Sequence, residues 1–204
     1  IWEIGSTLGE AAINRQNALP YTQTDIEANL NYFNKVIWFS HLGQNHLTDA
    51  GLALTKYIKN GGRLFITNGN EQMPDTTWTF TAIDSTYRLN PGGRFFPGVT
   101  INAHFDSEDL NQELTLETGQ LIGNRVSALI SKDKPNVNDI YTCEHPDSSD
   151  VNVPWEGTPT VGIHYEPDFI DEESIYFSLP LNYCDGLGNV ENLIDYIINE
   201  EFED

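Results

Sequence analysis

Residues 35–67 read KVIWFSHLGQNHLTDAGLALTKYIKNGGRLFIT. Each end of this stretch is a short run of apolar strand formers, which is typical of strands buried on both faces of a sheet. The middle has the spacing of a helix, with Thr48 as the predicted N-cap and Gly61–Gly62 as the predicted end. Its apolar stripe consists of Ala50, Ala53, Leu54, Tyr57 and Ile58. Strand, helix and strand with short links predict a βαβ unit with two parallel strands.

Similar patterns return near the end of the chain. Residues 160–165 and 174–181 are apolar runs, and a helix with a buried stripe is predicted to begin at Asn189. Residues 73–159 lie between the predicted βαβ unit and these C-terminal runs. This segment contains turns, prolines and short alternating stretches, which predict an irregular β-rich insertion. The sequence therefore predicts one α/β domain over residues 1–204, with three layers and a mostly parallel sheet.

The chain is strongly acidic. Its 204 residues include 10 basic and 31 acidic side chains, which give a formal net charge of −21. Such a charge repels phosphate and anionic lipid, so we expect no nucleic acid partner. No apolar run reaches the roughly 18 residues of a membrane helix, so no membrane insertion is predicted. The acidic composition favours an extracellular or cell-surface location, with the periplasm as the alternative.

The two cysteines leave two interpretations open. Cys143 and Cys184 are too few for a disulfide scaffold. A single bridge between them would close a loop of about 42 residues and stabilise the fold by roughly 4 kcal/mol. The alternative is a pair of buried thiols.

The predicted C-terminal helix ends in an acidic tail, Glu200–Asp204. Negative charge at the C-terminus of a helix opposes the helix dipole. We therefore expect this end to fray or to continue into further chain.

Five short runs, taken in order, resemble a known family. They are Ile1–Ile4 (IWEI), Val36–Phe39 (VIWF), Leu47–Asp49 (LTD), Asn60–Ile66 (NGGRLFI) and Ile175–Leu181 (IYFSLPL). Their order and spacing resemble the class I glutamine-amidotransferase-like superfamily, and within it the non-catalytic, ThuA-like or flavodoxin-like domains of large secreted bacterial proteins. The resemblance implies a flavodoxin-like fold in a multidomain protein. It also implies that Ile1–Ile4 is the second strand, and that the first strand and helix of the domain are missing from this chain.

The same resemblance bears on catalysis. Catalytic members of the superfamily carry a cysteine on a sharp turn between a strand and a helix, where the helix dipole lowers the pKa of the thiol. Here Thr67, or Asn68 one residue later, occupies that position, and Gly69 suits the tight turn. Neither side chain is a nucleophile without a strong base, so we expect the fold without amidotransferase activity.

The carboxyl ends of parallel strands are where open α/β sheets bind ligands. We predict a ligand site at this edge, formed by His41, His46, Thr67, Asn68, Glu71 and Asp185. The first two histidines with a nearby carboxylate would suit zinc, and solvated loop histidines are the alternative interpretation. His104 and His164 are expected to pack on strands.

The sequence predicts no cofactor, and calcium is the cation that its acidic groups would suit. Asp185, Asn189 and Glu191 offer the oxygen ligands that calcium prefers. They do not match the twelve-residue loop of an EF-hand, and acidic groups in such a chain are usually solvated.

These observations predict a non-catalytic structural or binding module of a larger secreted or cell-surface bacterial protein. Its expected partners are other domains of the same parent protein, a neighbouring subunit, or a glycan stacked on aromatic side chains such as Trp78 and Trp155. Two alternatives stay open. One is a metal-dependent or carboxylate-based hydrolase acting at the carboxyl edge of the sheet. The other is an assembly subunit completed by a strand from a neighbouring chain.

Overall fold

The computed structural model describes the βαβ unit and the elements packed around it. The described residues are 3–4, 18–19, 23–40, 46–68, 80–88, 100–103, 114–116, 127–143, 159–167, 172–178, 181, 184–185 and 189–202. Their elements, in chain order, are β1 (Glu3–Ile4), β2 (Ala18–Leu19), α1 (Gln23–Leu30), β3 (Lys35–Ser40), α2 (His46–Lys59), β4 (Arg63–Asn68), β5 (Ile83–Arg88), β6 (Thr100–Ala103), β7 (Leu114–Leu116), β8 (Ser127–Ser131), β9 (Val137–Cys143), β10 (Thr160–Tyr165), β11 (Glu173–Phe177), β12 (Cys184–Asp185), α3 (Asn189–Tyr196) and a π-helical turn (Ile197–Glu201).

The unit predicted from residues 35–67 is confirmed. β3 and β4 are parallel and stay in register over six residue pairs, with α2 connecting them. The helix begins at His46, two residues before the predicted cap at Thr48. It ends just before Gly61, whose φ of 84° lies in the left-handed region that glycine adopts without steric cost.

Eight strands form one mixed sheet in the order β12–β7–β6–β9–β10–β11–β4–β3. The pairings of β4 with β3 and with β11 are parallel, and the other pairings in this sheet are antiparallel. β1 pairs with β2, and β5 pairs with β8, in two smaller sheets. The predicted α/β class is confirmed. The sheet is mixed and not mostly parallel, because β10 pairs antiparallel with β11 and the strands beyond it continue with antiparallel pairings. Three of these strands, β6, β7 and β9, come from the segment predicted as an insertion.

Side chains of β4 contribute to two separate cores, because successive side chains of a strand point to opposite faces. Leu64 and Ile66 of β4 contribute to a core that includes residues of α1 and α2. Phe65 contributes to a second core that includes Leu193 of α3 and the buried Phe202 beyond it. The two cores therefore lie on opposite sides of β4.

The sheet curves strongly. The amide of Leu181 donates a hydrogen bond to Thr67 Oγ1 in β4, at 3.1 Å, and β12 begins only three residues later. Three residues span at most about 11 Å. Six strand spacings separate β4 from β12 in the sheet order, which is about 29 Å in a flat sheet. The antiparallel half of the sheet must therefore bend back toward the carboxyl end of β4.

The end of the chain differs from the sequence prediction. α3 begins at Asn189 as predicted, but it passes into the π-helical turn, and Phe202 after that turn is fully buried. The last described turn is therefore packed on the sheet and does not fray. Within the described ranges no helix is long and apolar enough to cross a bilayer.

Candidate functional site

The carboxyl end of β4, where the sequence predicts a ligand site, is occupied by internal hydrogen bonds. Thr67 and Asn68 are both buried. Thr67 Oγ1 accepts the amide of Leu181, and Asn68 Nδ2 donates to Tyr176 Oη at 3.0 Å. Burial holds the pKa of Tyr176 well above its usual value, so this hydroxyl stays protonated. The described side chains at this position hold the fold together and present no reactive group.

The side chains of the other four residues predicted for this site lie outside the described part of the chain. His41 and Glu71 lie outside the described residues. The backbone of His46 opens α2 and that of Asp185 lies in β12, whereas their side chains lie outside the described part. Thr67 and Asn68 are consecutive residues of β4, so their side chains point to opposite faces of the sheet and do not form one site. The remainder of the predicted ligand site stays a prediction.

The predicted calcium site and the predicted disulfide each include side chains that lie outside the described part of the chain. Glu191 is exposed in the first turn of α3, and the side chains of Asp185 and Asn189 lie outside the described part. Cys143 lies in β9 and Cys184 in β12, with β6 and β7 between these strands in the sheet order. The side chain of Cys143 is outside the described part, and burial raises the pKa of the Cys184 thiol to about 12. The calcium site and the disulfide therefore both remain predictions.

A cluster of buried charges lies at the opposite edge of the sheet, where the parallel strands begin. His164 of β10 is placed between two carboxylates: its Nε2 lies 2.9 Å from Oε1 of Glu173, and its Nδ1 lies 3.1 Å from Oε1 of Glu201. Arg63 Nε lies 3.3 Å from the other oxygen of Glu173. Four elements, β4, β10, β11 and the π-helical turn, therefore meet in this His164 cluster.

The cluster fixes the protonation state of its histidine. Burial alone would lower the pKa of His164, but hydrogen bonds to Glu173 and Glu201 outweigh it and raise the pKa from 6.5 to about 9. The hydrogen bond from His164 in turn lowers the pKa of Glu201. At neutral pH both ring nitrogens therefore carry protons, as two donations to carboxylates require. Two cations and two anions then balance, which is how buried charges are tolerated.

The same three side chains lie close enough together for a metal ion to be considered, but their geometry does not fit one. His164, Glu173 and Glu201 each offer one ligand atom, and these atoms lie within 4.8 Å of one another. The two ring nitrogens of His164 face different carboxylates, so the geometry suits a protonated ring that donates to both of them. A metal ion would bind only one of these nitrogens. Arg63 also neutralises Glu173. Calcium takes six to eight oxygen ligands, which this cluster does not offer.

Sequence reasoning missed this cluster. It placed His164 on a strand, which is correct, and it treated the glutamates as solvated or as unfavourable to the helix. A signal was nevertheless present: Arg63 and Glu173 are each the first residue of an apolar strand, and these two strands are parallel neighbours that pair Glu173 with Arg63. Opposite charges at equivalent positions of buried strands predict an ion pair.

Comparison with known structures shows likeness of fold only. The chain is similar to the mmIFT52 N-terminal domain, with a TM-score of 0.51 and 8% identity over 92% of this chain and 83% of that chain. It is less similar to the cold-adapted β-galactosidase from Rahnella sp. R3, with a TM-score of 0.47 and 8% identity over 84% of this chain and 23% of the β-galactosidase. The cytoplasmic protein STM3548 from Salmonella typhimurium gives a TM-score of 0.42 and 11% identity over 80% and 65% of the two chains. No family model and no curated protein sequence matches the chain.

Proposed function

We propose that this chain is a non-catalytic structural or binding module, for protein or glycan, of a larger secreted or cell-surface bacterial protein. The proposal includes a flavodoxin-like, three-layer arrangement related to the ThuA-like branch of the class I glutamine-amidotransferase-like superfamily. The two cores on opposite sides of β4 support three layers, since α1 and α2 contribute to one core and α3 to the other.

One observation carries the non-catalytic assignment. The position at which catalytic relatives would present a cysteine holds Thr67 and Asn68, and both side chains are turned inward to hydrogen-bond partners. A nucleophile must be exposed to substrate and activated by a nearby base. Neither condition is met by these two buried residues.

A turnover assay tests this proposal. The purified chain is incubated with glutamine, with peptides and with nitrophenyl glycosides, and we expect no product above the protein-free blank. The decisive comparison uses Asn68→Ala against Tyr32→Ala, a change at an exposed side chain far from that edge. Turnover that is lost in the first variant and kept in the second, both folded, would overturn the proposal.

The hydrolase alternative receives less support. It requires an exposed metal or carboxylate pair at the carboxyl edge, whereas the described carboxylates that meet a histidine lie at the amino edge and are neutralised there. Elemental analysis of the purified chain separates the two functions. Stoichiometric zinc would favour the hydrolase, whereas calcium alone would not.

A specific observation favours the assembly subunit as a second candidate. β3 is a terminal strand of the sheet among the described residues, and edge strands are templates for strand addition. Tyr32 and Phe33 precede this strand and Phe39 lies within it, and all three are exposed, Phe39 by 53%. Exposed aromatic side chains along an open edge are typical of interaction sites.

Light scattering after size-exclusion chromatography tests this second candidate. An assembly through β3 predicts an oligomer that Phe39→Lys dissociates, because the lysine places charge in the interface. Leu52→Lys is the matched control, since Leu52 is equally apolar and is exposed on α2. A monomer at every concentration would remove this candidate and leave the first one intact.

A further inference from the structure

The last turn of the described chain is fastened to the amino edge of the sheet. Lys35 Nζ donates to the carbonyl of Ile198 at 2.7 Å, and Arg63 Nη1 donates to the carbonyl of Phe202. The carbonyls at a helix C-terminus lack partners within the helix, and cations stabilise them. Two of the ten basic side chains of this acidic protein thus serve the π-helical turn.

The third attachment of this turn is Glu201, and it depends on a proton. His164 must carry two N–H groups to donate to Glu173 and Glu201 at the same time. A neutral imidazole has a single N–H, so one of the two carboxylates would then face a lone pair of the ring. Loss of one proton therefore breaks one of the two attachments.

We propose that the protonation of His164 controls the docking of residues 197–202 on the sheet. The protonated ring holds Glu201 against β10, and the neutral ring releases it. Glu201 is the carboxylate that leaves, because its side chain is 21% exposed, whereas that of Glu173 is 7% exposed and also contacts Arg63. Release of Glu201 exposes this turn without removing the ion pair between β4 and β11.

Among the described residues, the ionisable groups around His164 come from β4, β11 and the C-terminal segment. β4 contributes Arg63, β11 contributes Glu173, and the C-terminal segment contributes Glu201 together with Tyr196, which hydrogen-bonds to Glu201. On β9 the residue paired with His164 is Asn138, which is uncharged. Lys35 of β3 is directed to the carbonyl of Ile198.

The sign of the pH effect follows from the direction of the pKa shift. In the docked structure the pKa of His164 is about 9 instead of the usual 6.5, against the effect of burial and because of its two carboxylate partners. The part of this rise that Glu201 supplies favours docking at low pH, and it is lost as the pH rises through about 9. The whole rise corresponds to roughly 300-fold, and docking accounts only for the part that Glu201 supplies, because Glu173 stays beside the ring when the turn is released.

Two measurements on the whole chain test the proposal. An NMR titration of the histidine ring protons should give one histidine with a pKa near 9, and its signal should be absent in His164→Gln. Hydrogen exchange, corrected for the intrinsic effect of pH, should show protection at residues 197–202 falling between pH 6.5 and 9.5 while β4 stays protected. A His164 pKa near 6.5, or protection that does not change with pH, would overturn the proposal.

Two neighbouring glutamates provide matched variants. Glu201→Gln removes the charge that attracts the His164 proton, so we expect a lower His164 pKa and weaker pH dependence of exchange. Glu200→Gln changes the exposed neighbour and should leave both unchanged. If His164→Gln does not fold, the signal is assigned as the histidine whose pKa differs between these two variants. Equal pKa values in the two variants would contradict the assignment of Glu201 as the released carboxylate.

Discussion

The buried polar side chains Thr67 and Asn68 and the buried His164 all have partners in other segments of the fold. His164 illustrates the energy involved, since a pKa raised from 6.5 to about 9 corresponds to about 3 kcal/mol of stability at low pH. This contribution requires the protonated ring, so it is complete below pH 6.5 and absent above about pH 9.

We predict that the free energy of unfolding of the natural chain falls by about 3 kcal/mol between pH 6.5 and 9.5. The His164→Gln variant should lack this decrease, because glutamine does not titrate. Urea unfolding at a series of pH values measures both. Equal slopes in the two proteins would show that other groups determine the pH dependence.

A second prediction at the scale of single residues concerns Tyr176. Tyr176→Phe removes the hydroxyl that Asn68 contacts and keeps the ring in the core. We expect a loss of about 1–3 kcal/mol in the free energy of unfolding. Tyr32→Phe is the control, since Tyr32 is 83% exposed and its hydroxyl is in water, and it should change stability by no more than about 0.5 kcal/mol. Equal effects of both changes would contradict an internal role for the carboxyl end of β4.

At the scale of elements, an aromatic row crosses the sheet with one gap. Phe65 of β4 contacts Phe177 of β11, and Phe177 meets Tyr141 of β9 with ring centroids 4.8 Å apart. Gly162 of β10 is paired with both Phe177 and Tyr141. Because glycine has no side chain, the rings of Phe177 and Tyr141 meet above β10. The neighbours of β10 are therefore joined by backbone hydrogen bonds through this strand and by the contact of the two rings.

We predict that Gly162→Ala destabilises the fold by about 1–3 kcal/mol. A Cβ at this position would lie 2.8 Å from two carbons of the Phe177 ring and 3.0 Å from Cβ of Tyr141. A double-mutant cycle with Phe177→Leu provides the check, because the smaller side chain makes room for the new methyl group. The combined cost should be smaller than the sum of the two single costs, and additive costs would show that the two positions do not share this space.

The whole molecule carries a net charge of −21, which opposes its own compaction. Raising the NaCl concentration from about 20 mM to about 500 mM shortens the screening length from roughly 20 Å to about 4 Å. We therefore predict that the melting temperature rises with NaCl. Calorimetry at pH 7 measures this effect. A melting temperature that falls with salt would mean that exposed ion pairs stabilise the protein more than its overall repulsion destabilises it.

Element by element, the sequence predicted more of the fold than of the candidate site. The parallel unit of β3, α2 and β4 was predicted because its signals are local: apolar spacing, a cap and a glycine end lie within 33 consecutive residues, 35–67. The packed C-terminal turn was predicted incorrectly. Its acidic residues oppose the helix dipole when they are considered alone. In the fold, Lys35 and Arg63 donate to carbonyls of this turn, and His164 binds Glu201.

The local order of the chain determined the α/β class, the parallel crossover and the presence of Thr67 and Asn68, instead of a cysteine, at the end of β4. Each of these follows from residues that are near neighbours in sequence, whose spacing is sufficient to fix which face they occupy. Tertiary structure alone decided which side chains meet in the His164 cluster and how the antiparallel strands join the sheet. Arg63 and Phe202 are 139 positions apart, and such distant groups meet only after strand order, register and helix position are set.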